Sequence, residues 1–226
     1  MEILFKYPTR GRPQWFKRTL EMYYSLLSGK FKYKFLIAMD IDDESMNNNE
    51  MREFLDSKSN LKYYYSYHKS KIEAVNSGMD IFSDFDILVL VSDDMIPIVK
   101  GYDQIIVESM KKYFPDTDGA LHFNDGFLGK DKTITLSIMG RILYQRIGYI
   151  YHPDYKSFWC DNEFTDVVTQ LGKVVYFPNV VIKHDWKGFE KINKDKLYVR
   201  NSAMGKGDDV IYAKRRDLGF PKESIL

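Results

Sequence analysis

Three things are scarce in this sequence: cysteine, long apolar runs and net charge. Its 226 residues include one cysteine, Cys160, which excludes an intramolecular disulfide framework. No segment approaches the roughly 18 consecutive apolar residues of a membrane span, so we expect none. The formal net charge of +1 produces no overall field that would draw the chain to nucleic acid or to an anionic membrane. These absences favour a protein of the cytoplasm, or of the host cytoplasm if the chain is viral.

What the sequence does contain is the composition of a globular protein. Aromatic residues make up 15% of it, enough to fill a core or to line a ligand groove, and composition does not choose between the two. The first seven residues include the charges of Glu2 and Lys6, so we expect no secretion signal there. Positive charge gathers in residues 187–226, where ten Lys and Arg face six Asp and Glu. Such a mild excess is typical of a solvated surface.

Short apolar runs alternate with amphipathic segments through the first half of the chain. The run at 87–91 is continuously apolar, which is typical of a strand covered on both faces. The alternation predicts an α/β sandwich with a mostly parallel central sheet. Predicted strands are 3–7, 35–39, 61–65, 87–91, 119–123, 133–138, 174–177 and 180–183, and predicted helices begin at Pro13 and cover 71–82, 102–113 and 162–171.

Polar clusters follow three of the predicted strands, at residues 9–12, 40–43 and 93–94. In open α/β sheets, ligands bind outside the carboxyl ends of the strands, so we expect the three clusters to converge on one crevice. Asp40 could accept hydrogen bonds from a ribose or a base there. Asp42 and Asp43 are interpreted as capping or solvated residues.

Asp93 and Asp94 are adjacent carboxylates directly after a buried strand. Their mutual repulsion favours a bound cation, and hard oxygen ligands suit Mg²⁺ or Mn²⁺ bound to substrate phosphates. The alternative is a strand-terminal turn in which both carboxylates are solvated or cap a helix. The cationic side chains of Arg10, Arg12 and Lys71 suit phosphate oxygens, although ordinary surface charge explains them equally well.

Six segments together resemble the GT-A glycosyltransferases, close to the large inverting family 2 that includes cellulose and chitin synthases. They are, in chain order, FKYPTRGRP, IAMDIDDES, KIEAVNSGM, VLVSDDM, SFWCDNEF and VIKHDW. The resemblance covers roughly residues 3–186 and implies a Rossmann-like α/β/α sandwich, a nucleotide-sugar donor, most simply a UDP-sugar, and Mn²⁺ or Mg²⁺ as cofactor. The QxxRW-like motif of the processive members is absent, so we expect transfer of one sugar rather than polymerisation.

The resemblance also implies roles for individual residues. Asp161 matches the catalytic base, and Asp94 the metal ligand, with His184 at the position where some members add another ligand. The implied donor-binding residues are Thr9 and Arg10 at the nucleotide, Asp40 at the uracil or ribose, Asn76 in the helix lining the donor, Asp93 at the ribose or metal, and Asp125 at the sugar hydroxyls.

Each of these roles has a plainer alternative. Asp161 could simply be the N-cap of a helix, and His184 a structural hydrogen-bonding residue. If His184 binds the metal, imidazole favours Mn²⁺ over Mg²⁺. Trp159 and Trp186 could stack on an acceptor sugar or base, or lie in the core. Glu163, just after the proposed base, is a further acceptor candidate, whereas Cys160 is not expected to be a nucleophile.

The expected organisation is one GT-A domain over residues 1–186, with a nucleotide-binding half at 1–100 and an acceptor half at 101–186. Residues 187–226 form a basic extension packed on the same domain. The acceptor could be a glycan, a protein, or a hydroxymethylated base in phage-type DNA. Two other functions stay open: a nucleotidyltransferase, and a nucleotide-sugar-binding module without turnover. The sequence leaves the oligomeric state undetermined.

Overall fold

The computed structural model of the chain describes residues 1–129, 132–185 and 196–226. Its centre is a seven-stranded, mostly parallel sheet in the order β3-β2-β1-β4-β7-β6-β8, in which only β7 runs antiparallel to its neighbours. The sheet strands are β1 (Glu2–Thr9), β2 (Lys32–Asp40), β3 (Leu61–Ser66), β4 (Ile87–Leu90), β6 (Ala120–Phe123), β7 (Ile138–Gly140) and β8 (Val174–Phe177). The predicted α/β architecture is confirmed.

The central strands are buried on both faces, which explains their nearly continuous apolar sequences. One apolar cluster, containing Phe5 and Tyr7, packs beneath α1 (Pro13–Ser25) and α4 (Tyr102–Tyr113). A second cluster, containing Leu4 and Leu88, lies on the opposite face against α3 (Lys71–Asn76) and α6 (Cys160–Gln170). Helix α1 begins at Pro13, whose fixed φ suits a first helical position.

The connections reverse direction between β1 and β4. The chain moves outward from β1 to β2 and β3, then returns to place β4 on the other side of β1. A crevice forms at such a switch point, beyond the carboxyl ends of the strands. Thr9 ends β1, and Asp93 and Asp94 follow β4 after a short gap, so both polar clusters open onto this crevice.

A second, two-stranded sheet joins distant parts of the chain. Strands β5 (Met95–Pro97) and β9 (Ile182–His184) pair antiparallel, with Met95 opposite His184. The strand predicted at 133–138 is wrong except at its end. Ile134 N donates to Thr165 Oγ1 at 2.9 Å and Thr135 Oγ1 donates to Asp125 Oδ2 at 2.6 Å, so this segment bonds to side chains rather than to a ladder.

The predicted helix over 71–82 is interrupted. Helix α3 ends at Asn76, and a 3-10 turn, Met79–Phe82, follows. Gly78 between them has φ +71°, and a Cβ there would lie 2.6 Å from the Tyr64 ring. Only glycine meets both conditions without strain. Helices α2 (Asn49–Asp56) and α5 (Arg141–Ile147) were not predicted from the sequence.

The C-terminal segment forms α7 (Lys196–Met204) and α8 (Asp208–Asp217). Arg215 of α8 is fully buried and places its guanidinium on Glu163 of α6, with Nε 2.7 Å from Oε2 and a second nitrogen 2.9 Å from Oε1. The segment is therefore anchored to the same body as the sheet. In the part of the chain that is described, no helix has the length and apolar character needed to cross a membrane.

Candidate active site

Two cavities adjoin at the crevice beyond β1 and β4. The arginine cavity, about 160 Å³, takes its name from the three arginines in its wall. The histidine cavity, about 300 Å³, contains His184 and Asp161. Residues common to both walls are Pro8, Lys71, Ser92, Asp94, Ser157 and Phe158.

The two cavities bring together most of the residues that the sequence singled out. The arginine cavity is lined by Thr9, Arg10, Arg12, Asp40, Lys71, Asp93 and Asp94. The histidine cavity adds Asp161 and His184 to Lys71 and Asp94. Four of the predicted site residues line neither cavity: Asn76, Asp125, Trp159 and Glu163. Trp186 lies outside the described residues.

Asp94 and His184 face each other in the histidine cavity. His184 Nε2 lies 3.6 Å from Asp94 Oδ2. The small sheet brings the histidine there, and Asp185 N donates to the Asp94 carbonyl oxygen at 2.8 Å. Burial by itself would raise the pKa of Asp94, but the interaction with His184 holds it well below its usual range. Asp94 is therefore a full negative charge at neutral pH.

Asp125 lies at the other ring nitrogen of His184. Its Oδ2 is 3.8 Å from His184 Nδ1, and its carbonyl oxygen accepts from His184 N at 2.8 Å. Burial lowers the pKa of His184, but the two flanking carboxylates outweigh it and raise that pKa to about 9. Asp125 was expected at the donor, whereas the structure places its carboxylate against the histidine. Its position is that of a residue that orients the ring.

This pair fits a divalent cation shared with a phosphate ligand, provided that the cation displaces the proton that the raised pKa leaves on His184. Among the described residues, no group of three or more His, Cys, Asp or Glu side chains is arranged to hold a metal ion. Asp94 and His184 offer one carboxylate oxygen and one imidazole nitrogen on a common wall. Two protein ligands suit Mg²⁺ or Mn²⁺, since these ions keep water molecules and bind substrate phosphates.

Asp93 differs from its neighbour because it is buried. Thr9 Oγ1 donates to Asp93 Oδ1 at 3.1 Å, which ties the end of β1 to the segment after β4. Burial raises the pKa of Asp93 to about 7, an effect that Arg12 opposes and Asp94 reinforces. Asp93 therefore gives up its proton less readily than Asp94, which makes Asp94 the better cation ligand.

Arg10 reaches the crevice already paired with two carboxylates. One terminal nitrogen lies 2.6 Å from Asp40 Oδ2 and 2.6 Å from Asp42 Oδ1. Asp42 is exposed to solvent, as expected from the sequence, and it also pairs with Arg10. The Arg10 guanidinium is held at the wall by these pairs, which restricts the phosphate contact predicted for it.

A chain of buried polar groups supports Asp40 from beneath the sheet edge. His68 Nδ1 lies 2.6 Å from Asp40 Oδ1, and His68 Nε2 lies 3.0 Å from Ser77 Oγ. Ser77 Oγ is 2.7 Å from the Tyr64 hydroxyl, which accepts from Lys6 Nζ at 3.0 Å. Burial lowers the pKa of Lys6 to about 7. In the sequence, the one sign of this series of hydrogen-bonded side chains was Lys6, a lysine inside an otherwise apolar strand.

Asp161 is the second residue of α6 and lines the histidine cavity. Trp159 occupies the N-cap position, with φ +64°, so Asp161 is not the cap. Burial raises the pKa of Asp161, while Lys71 opposes the rise. A carboxylate whose pKa is raised toward neutrality is better suited to accept a proton.

Asn76 and Glu163 serve the protein interior rather than either cavity. The Asn76 amide accepts from Ile150 N at 3.0 Å and donates to the Tyr151 carbonyl oxygen at 2.6 Å, which fixes that loop. Glu163 is 3% exposed, and both of its oxygens are bound by Arg215. Both side chains thus have structural partners, and the donor and acceptor contacts expected of them stay predictions.

Other residues meet the cavities without having been predicted. Helix α7 contributes Arg200 and Asn201 to the arginine cavity, and Arg200 lies 3.9 Å from Asp40 Oδ2. Their only sequence signal was the basic excess at the C-terminus. Trp159 packs outside the cavities with its ring centroid 5.1 Å from that of Tyr212. Burial raises the pKa of the Cys160 thiol, which keeps it protonated.

Comparison with solved structures identifies the fold. The mannosyltransferase PcManGT of Pyrobaculum calidifontis, solved with GDP-Man and Mn²⁺, matches 81% of this chain and 56% of its own with a TM-score of 0.64 and 14% identity. S. aureus TarS 1-349 with UDP-GlcNAc matches 81% of this chain and 58% of its own, with a TM-score of 0.60 and 14% identity. The chain thus spans little more than half the length of these two proteins.

A synthetase solved with CTP is also similar in fold. CMP:2-keto-3-deoxy-manno-octonic acid synthetase, solved with CTP, matches 85% of this chain and 97% of its own with a TM-score of 0.54 and 9% identity. No protein-family model matches the sequence, and no curated protein sequence matches it. At these identities the similarity establishes the fold alone. The GT-A fold predicted from the sequence is confirmed.

Proposed function

We propose that this protein is a glycosyltransferase that moves one sugar from a nucleotide-sugar donor to an acceptor hydroxyl. The observation that carries the proposal is the sharing of one cavity wall by Asp94, His184 and Asp161. A pair suited to a divalent cation and a carboxylate with a raised pKa in one cavity are the two elements that sugar transfer needs. The GT-A fold supports the proposal, since PcManGT and TarS were both solved with nucleotide sugars.

The donor is assigned to the arginine cavity, which extends from Asp40 to Asp94. Asp40, with Arg200 close to it, would contact the base or ribose, and Lys71 the phosphates. A UDP-sugar is the donor favoured by the sequence. Residues 1–100 then form the nucleotide-binding half and 101–186 the acceptor half, with α7 of the extension adding to the donor side.

Asp94 and His184 would hold Mn²⁺ or Mg²⁺, which offsets the charge of the departing diphosphate. Asp161 is assigned as general base. It takes the proton of the acceptor hydroxyl while that oxygen attacks the anomeric carbon, and the nucleoside diphosphate departs from the opposite face with inversion. Lys71 lies in both cavity walls, where its charge offsets that of the phosphates.

The acceptor is assigned by class only. A glycan hydroxyl and a hydroxymethylated DNA base are both compatible with a general base beside an open cavity. Binding to DNA would weaken steeply with salt, whereas binding to a neutral glycan would not. A titration with hydroxymethylated duplex DNA at low and moderate salt separates the two, and no binding at low salt removes the DNA acceptor.

Thermal unfolding with a donor panel tests the proposed function. UDP-, GDP- and CDP-sugars are added with and without Mn²⁺ to the wild type and to Asp94→Asn. We expect one nucleotide class to raise the Tm of the wild type only when Mn²⁺ is present, and Asp94→Asn to lose that increment. A wild type that responds to none of them contradicts the proposal.

The synthetase solved with CTP, similar over nearly its whole length, keeps a nucleotidyltransferase as the second candidate. Such an enzyme releases pyrophosphate from a nucleoside triphosphate, whereas a glycosyltransferase releases a nucleoside diphosphate from a nucleotide sugar. Identification of the phosphate product therefore separates the two enzymes. A binding module without turnover is a further alternative, and it predicts that Asp161→Asn changes nothing.

A further inference from the structure

The loop before α6 is fixed by a carboxylate from the C-terminal segment. Asp208, at the start of α8, is 1% exposed. Its Oδ2 accepts from Ser157 N and from Phe158 N, each at 2.8 Å, and Lys156 N adds a contact at 3.2 Å. Three backbone amides on one charged oxygen hold this stretch rigidly. Ser157 is therefore presented in a fixed position.

The hydroxyl of Ser157, unlike its backbone N–H, has no hydrogen-bond partner among the described residues. The residue is 1% exposed, and within residues 1–129, 132–185 and 196–226 its Oγ forms no hydrogen bond. A buried hydroxyl without a partner costs free energy, so such groups are rare in folded proteins unless a ligand completes them. The Ser157 hydroxyl is therefore suited to form a hydrogen bond with a ligand.

Ser157 also lies where the two cavities meet. It belongs to both walls, together with Lys71 and Asp94. With the nucleotide in the arginine cavity and Asp161 in the histidine cavity, the group between them is the sugar being transferred. A neutral hydroxyl both donates and accepts, which matches a sugar hydroxyl, whereas phosphate oxygens only accept and already have Lys71 nearby.

We propose that Ser157 Oγ binds a hydroxyl group of the transferred sugar, held in position by Asp208. This inference rests on the proposed function and deepens it, because it names a contact to the sugar rather than to the nucleotide. The Ser157 hydroxyl then gains a hydrogen-bond partner only when the sugar is bound. The Ser157 hydroxyl should therefore contribute to binding of the nucleotide sugar and contribute nothing to binding of the nucleoside diphosphate.

The test compares Ser157→Ala with the wild type in calorimetric titrations with Mn²⁺. The probes are UDP-glucose, UDP-GlcNAc and GDP-mannose, each beside its parent UDP or GDP. We expect the Kd of the bound nucleotide sugar to rise about 5- to 10-fold, as for loss of one hydrogen bond, and that of the parent diphosphate to stay unchanged. The Tm without ligand should be equal to that of the wild type or higher, since no protein partner is lost.

Ser28→Ala is the matched control, since the Ser28 hydroxyl is bonded to Asp103 Oδ2 at 2.6 Å away from both cavities. It should lower the Tm and leave both Kd values unchanged. If Ser157→Ala weakens the binding of nucleotide sugar and of nucleoside diphosphate equally, the contact is to the phosphates and the inference is overturned. Wild-type affinity in Ser157→Ala would overturn it and leave the proposed function standing. A wild type that binds none of the probes would remove both.

Discussion

His68 Nδ1 lies 2.6 Å from Asp40 Oδ1, and the two side chains are nearly completely buried. The histidine reaches Asp40 from the loop after β3 and contacts the carboxylate oxygen that Arg10 does not. Asp40 thus receives a donor at each oxygen. Burial alone would raise the pKa of Asp40, but His68 and Arg10 together lower it. The carboxylate stays ionised and oriented toward the arginine cavity.

Removal of His68 should weaken nucleotide binding. His68→Ala leaves Asp40 Oδ1 without its donor, and we expect the Kd of the nucleoside diphosphate to rise roughly 10-fold, with little change in the rate at saturating donor. His68→Asn, whose side-chain amide can replace the Nδ1 donor, should recover part of the affinity. Titration of the three proteins measures this. Equal losses in both variants would contradict the role assigned to His68.

Lys6 should make stability depend on pH above neutrality. Its folded-state pKa of about 7 lies below the value of about 10.5 expected when unfolded, so the unfolded chain binds more protons between these limits. The penalty for burying Lys6 is complete below pH 7 and shrinks as the pH rises. Wild type should therefore gain roughly 2–3 kcal/mol relative to Lys6→Met between pH 7 and 9.5.

Urea unfolding of both proteins at the two pH values measures this gain. The comparison cancels the titration of all other groups, which both proteins share. A difference between them that stays constant with pH would show that Lys6 is charged throughout the range, and would contradict its lowered pKa.

Arg215 should be essential to the packing of α8 on α6. Arg215→Met leaves the buried carboxylate of Glu163 without its cation, and we expect a loss of about 3–5 kcal/mol in the free energy of unfolding. The double variant Arg215→Met/Glu163→Gln should recover part of it, because position 163 then carries no unpaired charge. Arg216→Met, at the exposed neighbouring position, is the control and should change stability by less than about 1 kcal/mol. A loss below that level for Arg215→Met would mean the pair is not stabilising.

Asp161→Asn should abolish transfer and spare donor binding. An amide cannot accept the hydroxyl proton, so the rate should fall roughly 10²- to 10⁴-fold while the Kd of the nucleotide sugar stays close to that of the wild type. Asp166→Asn, on the same helix, is the control and should keep most of the rate. Burial raises the pKa of Asp161, and the base must be ionised to accept a proton. As the pH is lowered, the wild-type rate should therefore begin to fall at a pH above the pKa of an ordinary aspartate. An Asp161→Asn variant with full activity would exclude this base.

The sequence predicted the fold and the convergence of its polar residues on one crevice, for a physical reason. The carboxyl ends of parallel strands lie at the same edge of a sheet. Local sequence patterns around Thr9, Asp40 and Asp94 were therefore enough to predict that these residues lie close together. Ser77 and Tyr64 could not be found in this way, since their contacts join separate elements. The same holds for Arg200 and Asp208, which reach the site only because α7 and α8 fold back over it.

Two predicted site residues lie outside both cavities for the same reason. Asn76 and Glu163 lie in helices at the expected places, but their side chains point to partners far away in the sequence. Asn76 meets the loop at Ile150, and Glu163 meets Arg215. A motif indicates where a residue lies along an element, whereas the partner that uses its side chain is set by tertiary packing.

The most direct test of the donor site is anomalous diffraction from crystals grown with MnCl₂ and UDP or GDP. Manganese scatters anomalously, so its position is measured independently of the rest of the structure. The proposed donor site predicts one strong peak within bonding distance of a carboxylate oxygen of Asp94, of His184 Nε2 and of the diphosphate of a nucleotide in the arginine cavity. A nucleotide bound elsewhere, or bound there with manganese absent from Asp94, would contradict it.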